Sequence, residues 1–248
     1  MSERVVVVGD AHLGTADPGA EGAFLEFLAA VPSIGSRLLL LGDIFDFWFE
    51  YRSVVPRKHL RTAAAIGEVA RSGTTVEFFG GNHDRWGGTF WTRDMGVAFH
   101  PRGSDLIVAG RRAFVHHGDG LSDHLVLARA LQWVLSRRLT VLVYSLLHPT
   151  ASFWLAEKLA GWLEGRHKTP EAMDRAASFQ EGLARQMIER RPELQLVIMG
   201  HTHRQRVVEL GPGRFYLNAG QWMNERHYAV VTPDSLWAGC WPDRPPGL

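Results

Sequence analysis

Short apolar runs of strand length recur along the chain, and most of them end at Asp, Asn or His. The first three runs are Val5–Val8, Leu38–Leu41 and Val76–Phe79. Their continuous apolar character is typical of strands that are buried on both faces. Between them, Phe24–Ala30 and Lys58–Arg71 are predicted helices, and Pro32 with Gly35 is expected to end the first one. This alternation predicts a parallel sheet covered by helices, with a site where its strands end.

The second half of the chain has a different sequence pattern, in which short predicted strands are separated by Gly and Arg turns. The strands predicted there are Val97–His100, Leu106–Val108, Ala113–His116, Val197–Met199, Arg206–Leu210, Phe215–Asn218 and Tyr228–Val231. Runs that are so short and so closely spaced favour antiparallel pairing in a second sheet.

A helical block, Leu121–Arg191, interrupts the strands of the second half. Leucines recur in it at helical spacing, and Pro170 is expected to begin its last helix. Its first part mixes basic residues with Trp133, Trp154 and Trp162. A basic, aromatic and amphipathic helical pair suits a cap over lipid or a membrane-surface contact. The alternative is a helical hairpin that only packs on the core.

The composition is that of a globular domain without a marked charge. The 248 residues are 46% hydrophobic and carry a net charge of +1 with His neutral. This supplies one large core and does not favour nucleic acid as a partner. We expect a single domain over residues 1–248, with the helical block as an insertion of about residues 121–191, and no obligate protein partner.

Several features concern the cellular compartment. The predicted strand Val5–Val8 follows Met1 so closely that we expect no signal peptide. The longest apolar run, Leu139–Leu147, is about half the length that a membrane-spanning helix needs. Cys240 is the single cysteine, so an internal disulfide is excluded and a reducing compartment fits. We expect a cytoplasmic protein whose attachment to any membrane is peripheral.

Side chains that bind metals stand at the ends of five predicted strands. They are Asp10 and His12, Asp43 and Asp46, Asn82 and His83, His116 and His117, and His201 and His203. Two divalent ions about 3.5–4 Å apart need a shared carboxylate and nitrogen and oxygen ligands on either side. Asp43 is the natural bridge, because its strand lies next to that of Asp10 and His12. Since no thiolate is present, the set suits Mn, Fe or Zn better than Ca or Mg.

Each of these residues has a simpler interpretation when it is taken alone. An Asp after Gly is commonly a turn residue, and a single His-x-His pair is more often structural than ligating. Five such groups, each after an apolar strand, favour a dinuclear metal site. Of the adjacent His116 and His117, which point to opposite sides of a strand, His117 is the predicted ligand because it precedes a Gly-Asp turn.

His83 is predicted to be catalytic rather than ligating, because it follows the predicted ligand Asn82 and projects beside the ions. The carboxylate of Asp46 is expected to hold the tautomer of His83. The alternative for Asp46 is a helix N-cap. Asp84 is interpreted as a turn or capping residue without a chemical role.

These groups resemble the pattern of the calcineurin-like metallophosphoesterase superfamily, which is D-x-H, GD-xx-D, GNH-[DE], H and GH-x-H. The match runs from Gly9 to Trp222. The resemblance implies a four-layer α/β/β/α sandwich in the α/β class. It also implies that one ion takes Asp10, His12, Asp43 and His203, and that the other takes Asp43, Asn82, His117 and His201.

Within the superfamily, the chain is most similar to the UDP-2,3-diacylglucosamine hydrolases (diphosphatases) of lipid A synthesis. The similar segments are 42–48, 117–121 and 168–174, together with a helical insertion where that family caps acyl chains. The likeness implies substrate contacts from Asn82, His83, Asp123 and Lys168. That family commonly has Arg at the position of His83 and Glu at that of Asp46, whereas this chain carries the general superfamily pair.

The resemblance implies a hydrolase that cleaves a nucleotide–lipid pyrophosphate with two divalent ions, which we expect to be manganese. A peripheral position on the anionic cytoplasmic face of the inner membrane would suit that substrate. One alternative is a phosphodiesterase or phosphatase of the same superfamily that acts on a soluble nucleotide or a phosphoprotein. Another is a non-catalytic binding protein, which the unsubstituted ligand positions disfavour.

Overall fold

The computed structural model describes residues 3–15, 18–51, 53–121, 144, 146, 148–149, 153–154 and 169–247. Asp123, Lys168 and most of the predicted insertion lie outside these residues, so the predictions for them remain predictions.

The first sheet has six strands. They are β1 (Val5–Val8), β2 (Arg37–Leu40), β3 (Thr75–Phe79), β4 (Ala98–His100), β10 (His227–Val231) and β11 (Leu236–Cys240). Their order is β11-β10-β1-β2-β3-β4. The four strands β1 to β4 are parallel neighbours, and Val5 pairs with Arg37 and Val8 with Leu40. The predicted parallel core of this sheet is therefore confirmed.

The second sheet has five strands. They are β5 (Ser104–Val108), β6 (Arg111–Val115), β7 (Leu196–Met199), β8 (Arg206–Gly211) and β9 (Arg214–Asn218), in the order β5-β6-β7-β9-β8. The hairpins β5–β6 and β8–β9 are antiparallel as predicted, but β7 is parallel to both β6 and β9. Because parallel strands end at the same edge, β6 and β7 bring their following loops together.

Two strands predicted for the second sheet belong to the first. β4 pairs with β3, and β10 pairs antiparallel with β1. The sequence did not predict β11, which pairs with β10 at the edge of the sheet and is only partly buried. A short apolar run fits the face of either sheet, so its local pattern does not specify its partner strand.

The helices complete the layers. They are α1 (Pro18–Ile34), α2 (Leu60–Arg71), α3 (Pro170–Arg190) and the short α4 (Trp222–Glu225). Helix α1 begins before the predicted Phe24, and it ends at Ile34, directly before Gly35, which was predicted together with Pro32 to end it. Pro32 lies in its last turn. Helix α3 begins as predicted, with Pro170 in its first turn and the Thr169 side chain accepting a hydrogen bond from the backbone N–H of Ala172.

Three apolar clusters define a four-layer α/β/β/α sandwich, as predicted. Alternate residues of β1, such as Val6 and Val8, pack with α1 and α2 on the outer face of the first sheet. Val5 and Val7 point the other way and pack against the second sheet. A third cluster joins α3 to the far face of the second sheet. The metal-binding side chains lie at the edge where the two sheets face each other.

Candidate metal centre

The predicted ligands come from strand-end loops of both sheets. Asp10 and His12 follow β1, Asp43 follows β2, Asn82 follows β3, His117 follows β6, and His201 and His203 follow β7. The structure brings together His and Asp side chains that are up to 193 residues apart in sequence, since His203 Nε2 lies 3.3 Å from Asp10 Oδ1.

The backbone is strained at most of these positions. Five of the ligand residues have positive φ angles: Asp10 at 52°, His12 at 43°, Asp43 at 50°, His201 at 71° and His203 at 58°. Residues with a Cβ rarely adopt this conformation, which costs on the order of 1–3 kcal/mol at each residue. Strain of this kind persists where the fold needs the side-chain direction that it creates, which marks a functional site.

The first group of ligand atoms belongs to Asp10, His12 and His203, whose ligand atoms lie within 4.8 Å of one another. Asp10 uses its second oxygen, Oδ2, to accept a hydrogen bond of 2.9 Å from the backbone N–H of His201. Its Oδ1 therefore remains directed at the group. These residues match one of the two ion sites that the resemblance implies.

The second group consists of Asp43, His117 and His201. His117 Nε2 lies 3.2 Å from Asp43 Oδ2 and 3.3 Å from His201 Nδ1. The other ring nitrogen of His117, Nδ1, lies 2.6 Å from the carbonyl oxygen of Leu41. A carbonyl only accepts, so Nδ1 carries a proton and Nε2 is turned towards the centre.

Asp43 joins the two groups. Its Oδ2 also lies 3.8 Å from His12 Nε2, which belongs to the first group. Its Oδ1 accepts a hydrogen bond from the backbone N–H of His83. An aspartate within reach of both groups has the position that a bridging ligand requires.

Unsatisfied buried atoms indicate that cations fit here. Eight buried side-chain nitrogen or oxygen atoms of the described residues have no hydrogen-bond partner, and three of them lie together at this centre: Asp10 Oδ1, His12 Nε2 and Asn82 Oδ1. A buried polar atom without a partner is costly. All three atoms belong to predicted ligands, and each is of a type that binds a divalent transition metal. The donor set therefore fits divalent metal ions.

The pKa shifts agree with this interpretation. Burial lowers the pKa of His12 to about 3, so its imidazole is neutral and able to bind a metal. Burial alone would raise the pKa of Asp43, but the neighbouring His117 and His83 hold it well below its usual value. Burial likewise opposes the protonation of His117, but the Asp43 carboxylate raises its pKa to about 10. The ionised Asp43 carboxylate is paired with a proton on His117. A metal ion can replace that proton.

His83 lies beside the predicted ligands and forms a third group that could hold a metal with His12 and Asp43, and it is held differently from the prediction. Its Nε2 is 4.0 Å from Asp43 Oδ2, and its Nδ1 is 2.6 Å from the backbone carbonyl oxygen of Asp46. The Asp46 carboxylate instead bonds Lys58 Nζ at 2.8 Å and His59 Nε2 at 3.0 Å. The expectation that this carboxylate orients His83 is therefore corrected, because the two basic side chains of the 58–59 segment engage it.

Asp84 has a positioning role that the sequence analysis did not assign to it. Its fully buried carboxylate accepts hydrogen bonds from the backbone N–H groups of Gly81, Asp43, Ile44 and Phe45. Burial and the charge of Asp43 raise the pKa of Asp84 to about 6. The carboxylate thus ties the loop after β3 to the loop after β2. Its position in the Gly-Asn-His-Asp segment was the only available signal.

His116 and Arg85 lie near the predicted ligands, and each has a structural role. His116 is not in the groups of potential ligands, and burial lowers its pKa to about 4, in line with its prediction as a packed residue. Arg85 pairs with Asp119 and donates to the Gly81 carbonyl oxygen at 3.1 Å. This pairing uses the guanidinium to join the loops after β3 and β6.

Three groups of His and Asp side chains that could hold a metal, linked to one another through His12 and Asp43, are the arrangement that a metal-dependent hydrolase requires. The chain belongs to the calcineurin-like phosphoesterase family, whose model matches residues 3–205. It is therefore a phosphoester hydrolase, and the family implies divalent metal ions as its cofactors.

The relatives of the chain are similar over nearly their whole length. A UDP-2,3-diacylglucosamine hydrolase of Porphyromonas gingivalis is 29% identical, over 93% of this chain and 94% of the relative. A UDP-2,3-diacylglucosamine hydrolase of Salmonella arizonae is 30% identical, over 92% of this chain and 95% of the relative. Among solved structures, the phosphoesterase Yfce of E. coli has a TM-score of 0.43 and 16% identity, covering 98% of this chain and 95% of Yfce. Within the described part of the chain, no helix combines the length and apolar character needed to cross a bilayer.

Proposed function

We propose that the protein hydrolyses UDP-2,3-diacylglucosamine to UMP and 2,3-diacylglucosamine 1-phosphate. Two UDP-2,3-diacylglucosamine hydrolases that align over more than nine-tenths of both chains support this substrate. The observation in the structure that carries the proposal is an apolar surface that begins next to the metal centre and includes residues of the insertion.

This surface is an aromatic wall formed by Phe47, Phe49, Tyr51, Tyr144 and Phe153. Phe47 and Phe153 have ring centroids 5.6 Å apart, and Phe49 and Tyr144 have centroids 4.6 Å apart. Tyr51 also contacts Phe153, at 6.1 Å. The first three residues belong to the loop after β2, and the other two belong to the predicted insertion. An aromatic surface of this kind suits a substrate with apolar chains better than it suits a free nucleotide.

The aromatic wall is directly connected to the predicted catalytic histidine. Phe47 follows Asp46, whose carbonyl holds His83, and the backbone N–H of Trp48 donates to the carbonyl oxygen of His83 at 2.9 Å. An acyl chain on the aromatic wall would therefore leave the attached sugar phosphate close to the ligand groups. This geometry favours a substrate that has an apolar part and a pyrophosphate part.

The mechanism follows from the residues around the centre. The groups linked through Asp43 would hold two divalent ions, which would supply an acidified water and neutralise phosphate oxygens. The Asp46 carbonyl fixes the Nδ1 proton of His83, so its Nε2 faces the centre and can hold a second proton. We propose that this Nε2 gives its proton to the leaving oxygen. Burial of Asp43 and Asp10 excludes water from their carboxylates and strengthens their hold on cations.

Finer features of the proposal concern the substrate and the membrane. Asn82, Asp123 and Lys168 are proposed to contact the substrate, and manganese is the proposed ion. Leu146 and Trp154 are exposed large apolar residues of the predicted insertion. We propose that they rest on the anionic cytoplasmic face of the inner membrane. Sedimentation with vesicles that contain anionic lipid should be weakened by W154S, and binding that W154S leaves unchanged would contradict the membrane contact.

The central test is a substrate panel in the presence of Mn²⁺. UDP-2,3-diacylglucosamine, dispersed in detergent, would be compared with soluble nucleotides, a phosphopeptide and an aryl phosphate ester, with the products identified by mass spectrometry. We expect UMP and the lipid phosphate to form at the highest kcat/KM. A higher kcat/KM on a soluble nucleotide or on the phosphopeptide would overturn the lipid substrate and favour the alternative within the same family.

A matched pair of variants tests the role of the aromatic wall. Phe153→Ala should raise KM for the diacyl substrate by roughly 10-fold or more, because it removes buried aromatic surface. It should leave hydrolysis of the aryl ester unchanged. Ile107→Ala, at an exposed apolar position of β5 away from the aromatic wall, should change neither in detergent. If Phe153→Ala reduces both activities equally, the aromatic wall supports the fold rather than the acyl chains.

A further inference from the structure

One buried amide from α3 lies behind the two loops that carry the second ligand group. Gln180 is completely buried, although a glutamine on a surface helix is commonly exposed. Its side chain reaches past the end of β7 to the loops of His117 and His201. The family assignment does not account for this contact.

The hydrogen bonds of Gln180 are directed at one peptide. Its Nε2 donates to the carbonyl oxygen of Gly200 at 3.2 Å. Its Oε1 accepts from Tyr216 Oη at 2.7 Å and from Asn218 Nδ2 at 3.1 Å. Asn218 Nδ2 also lies 3.1 Å from the Gly200 carbonyl oxygen. Two side-chain amides thus converge on the carbonyl that immediately precedes His201.

The opposite side of the same peptide faces the metal centre. Its N–H, which belongs to His201, donates to Asp10 Oδ2 at 2.9 Å. The peptide plane is therefore held by its carbonyl from behind and by its N–H from in front. His201 needs such support, because its φ of 71° is unfavourable for a residue with a Cβ.

The loop of His117 is also fitted around Gln180. A Cβ added at Gly118 would collide with Gln180 Nε2, and Gly118 has a φ of 116° that L side chains rarely adopt. The backbone N–H of Gly200 donates to the carbonyl oxygen of His117 at 2.7 Å. Both histidines of the second ligand group are therefore braced by the same side chain.

We propose that Gln180 is a positioning residue that sets the affinity of the second ion, the one held by Asp43, His117 and His201. The first group is linked to the same peptide through Asp10 Oδ2, but it depends on Gln180 less, because the backbone N–H groups of Asp10 and His12 also bond the carbonyls of Gly42 and Asp43. The inference rests on the two-ion centre proposed above. It means that the helix closing the insertion supports one half of the metal centre.

The test compares the metal binding of wild type and Gln180→Leu. Leucine keeps most of the volume and removes both hydrogen-bonding atoms. Titration with Mn²⁺ would be followed by calorimetry and by electron paramagnetic resonance, in which a coupled Mn²⁺ pair differs from isolated ions. We expect the second ion to bind about 10–100-fold more weakly and the coupled signal to be lost at Mn²⁺ concentrations that saturate the wild type. The first ion should be weakened much less, because only Asp10 of its group contacts the braced peptide.

Two further variants separate positioning from general stability. Ile188→Ala removes buried apolar contacts of the same helix and should lower Tm without changing either affinity. Gln180→Glu keeps the acceptor for Tyr216 but loses the donor to Gly200, so we expect it to weaken the second ion as well. Equal weakening of both ions in Gln180→Leu, or the same binding change in Ile188→Ala, would overturn the proposal.

The outcome for the wild type is a separate test. A wild-type protein that binds two ions and a Gln180→Leu variant that keeps both affinities would overturn the role of Gln180 alone. A wild-type protein that binds one ion and shows no coupled signal would overturn the two-ion centre on which the inference rests.

Discussion

The ligand loops of the two sheets reach the same metal centre but are held in different ways. In the first sheet, the loop after β1 lies along the loop after β2, and backbone hydrogen bonds connect Ala11 and His12 to the Asp43 carbonyl. One carboxylate, that of Asp84, collects further backbone N–H groups. In the second sheet, the carbonyl before His201 is held by the side chains of Gln180 and Asn218.

The two sets of loops differ in how much of their support comes from residues that are distant in sequence. Backbone pairing between adjacent parallel strands follows from the strands themselves, so the loops of the first sheet are placed wherever those strands pair. The loops of the second sheet need side chains from α3 and β9, which are remote in sequence from His117. We expect substitution of a residue that links the two ligand groups to weaken metal binding by both groups. Substitutions behind one loop should mainly weaken metal binding by the residues of that loop.

The largest effect is expected at Asp43, whose carboxylate lies close to both His12 and His117. Asp43→Asn should lower kcat on an aryl phosphate ester on the order of 10³-fold or more, because a neutral amide bridges cations poorly. Metal content measured after dialysis should also fall. Retention of two tightly bound ions in this variant would contradict the bridging position of Asp43.

The next effect is expected at His83, which lies against His12 and Asp43 but was predicted to be catalytic and not a ligand. His83→Ala should reduce kcat about 10²–10⁴-fold, because it removes the proposed proton donor. Bound metal should stay close to the wild-type amount, as measured by elemental analysis. A collapse of metal occupancy would assign His83 to the ligands instead.

A smaller effect on activity and a clear effect on stability are expected at Asp84. Asp84→Asn puts an amide N–H₂ among backbone donors, so it should cost about 1–3 kcal/mol in the free energy of unfolding and weaken the first-sheet loops. Denaturant unfolding and Mn²⁺ titration would measure both effects. Asp94→Asn, at an exposed position of the same chain segment, should change neither.

The smallest effect on activity is expected at Asp46. Because its carbonyl, rather than its carboxylate, holds His83, Asp46→Asn should change kcat less than about 10-fold. A loss as large as that of His83→Ala would restore the carboxylate to the catalytic role.

The stability effect of Asp46→Asn should depend on pH. Burial opposes ionisation of Asp46, but hydrogen bonds from His59 and Lys58 lower its pKa below the ordinary value of 3.8. A lowered pKa stabilises the fold above the unfolded-state value, and this stabilisation is lost as the pH falls through the folded-state value. The difference in the free energy of unfolding between wild type and Asp46→Asn should therefore be largest at neutral pH and should decrease below about pH 4. A gap that is constant down to pH 2 would contradict the ionic contacts.

Much of the centre could be predicted because its residues follow strands with strong local patterns. Val5–Val8 and Leu38–Leu41 are apolar throughout, so Asp10 and Asp43 were expected at adjacent strand ends, where the structure has them. The partner of His83 was mistaken, because sequence spacing does not distinguish a carboxylate from the carbonyl of the same residue. β4 and β10 were assigned to the wrong sheet because neither has a pattern that selects one sheet over the other.

The sequence by itself determined the parallel core of the first sheet and the kinds of side chain at the metal centre. Both follow from local properties: apolar periodicity defines the strands, and residue type defines what a strand end can bind. Only the tertiary structure decided that Gln180 lies behind His201, that Asp84 joins two loops and that the aromatic wall meets the insertion. These contacts join segments that have no sequence pattern in common, so they exist only once the sheets and helices have packed together.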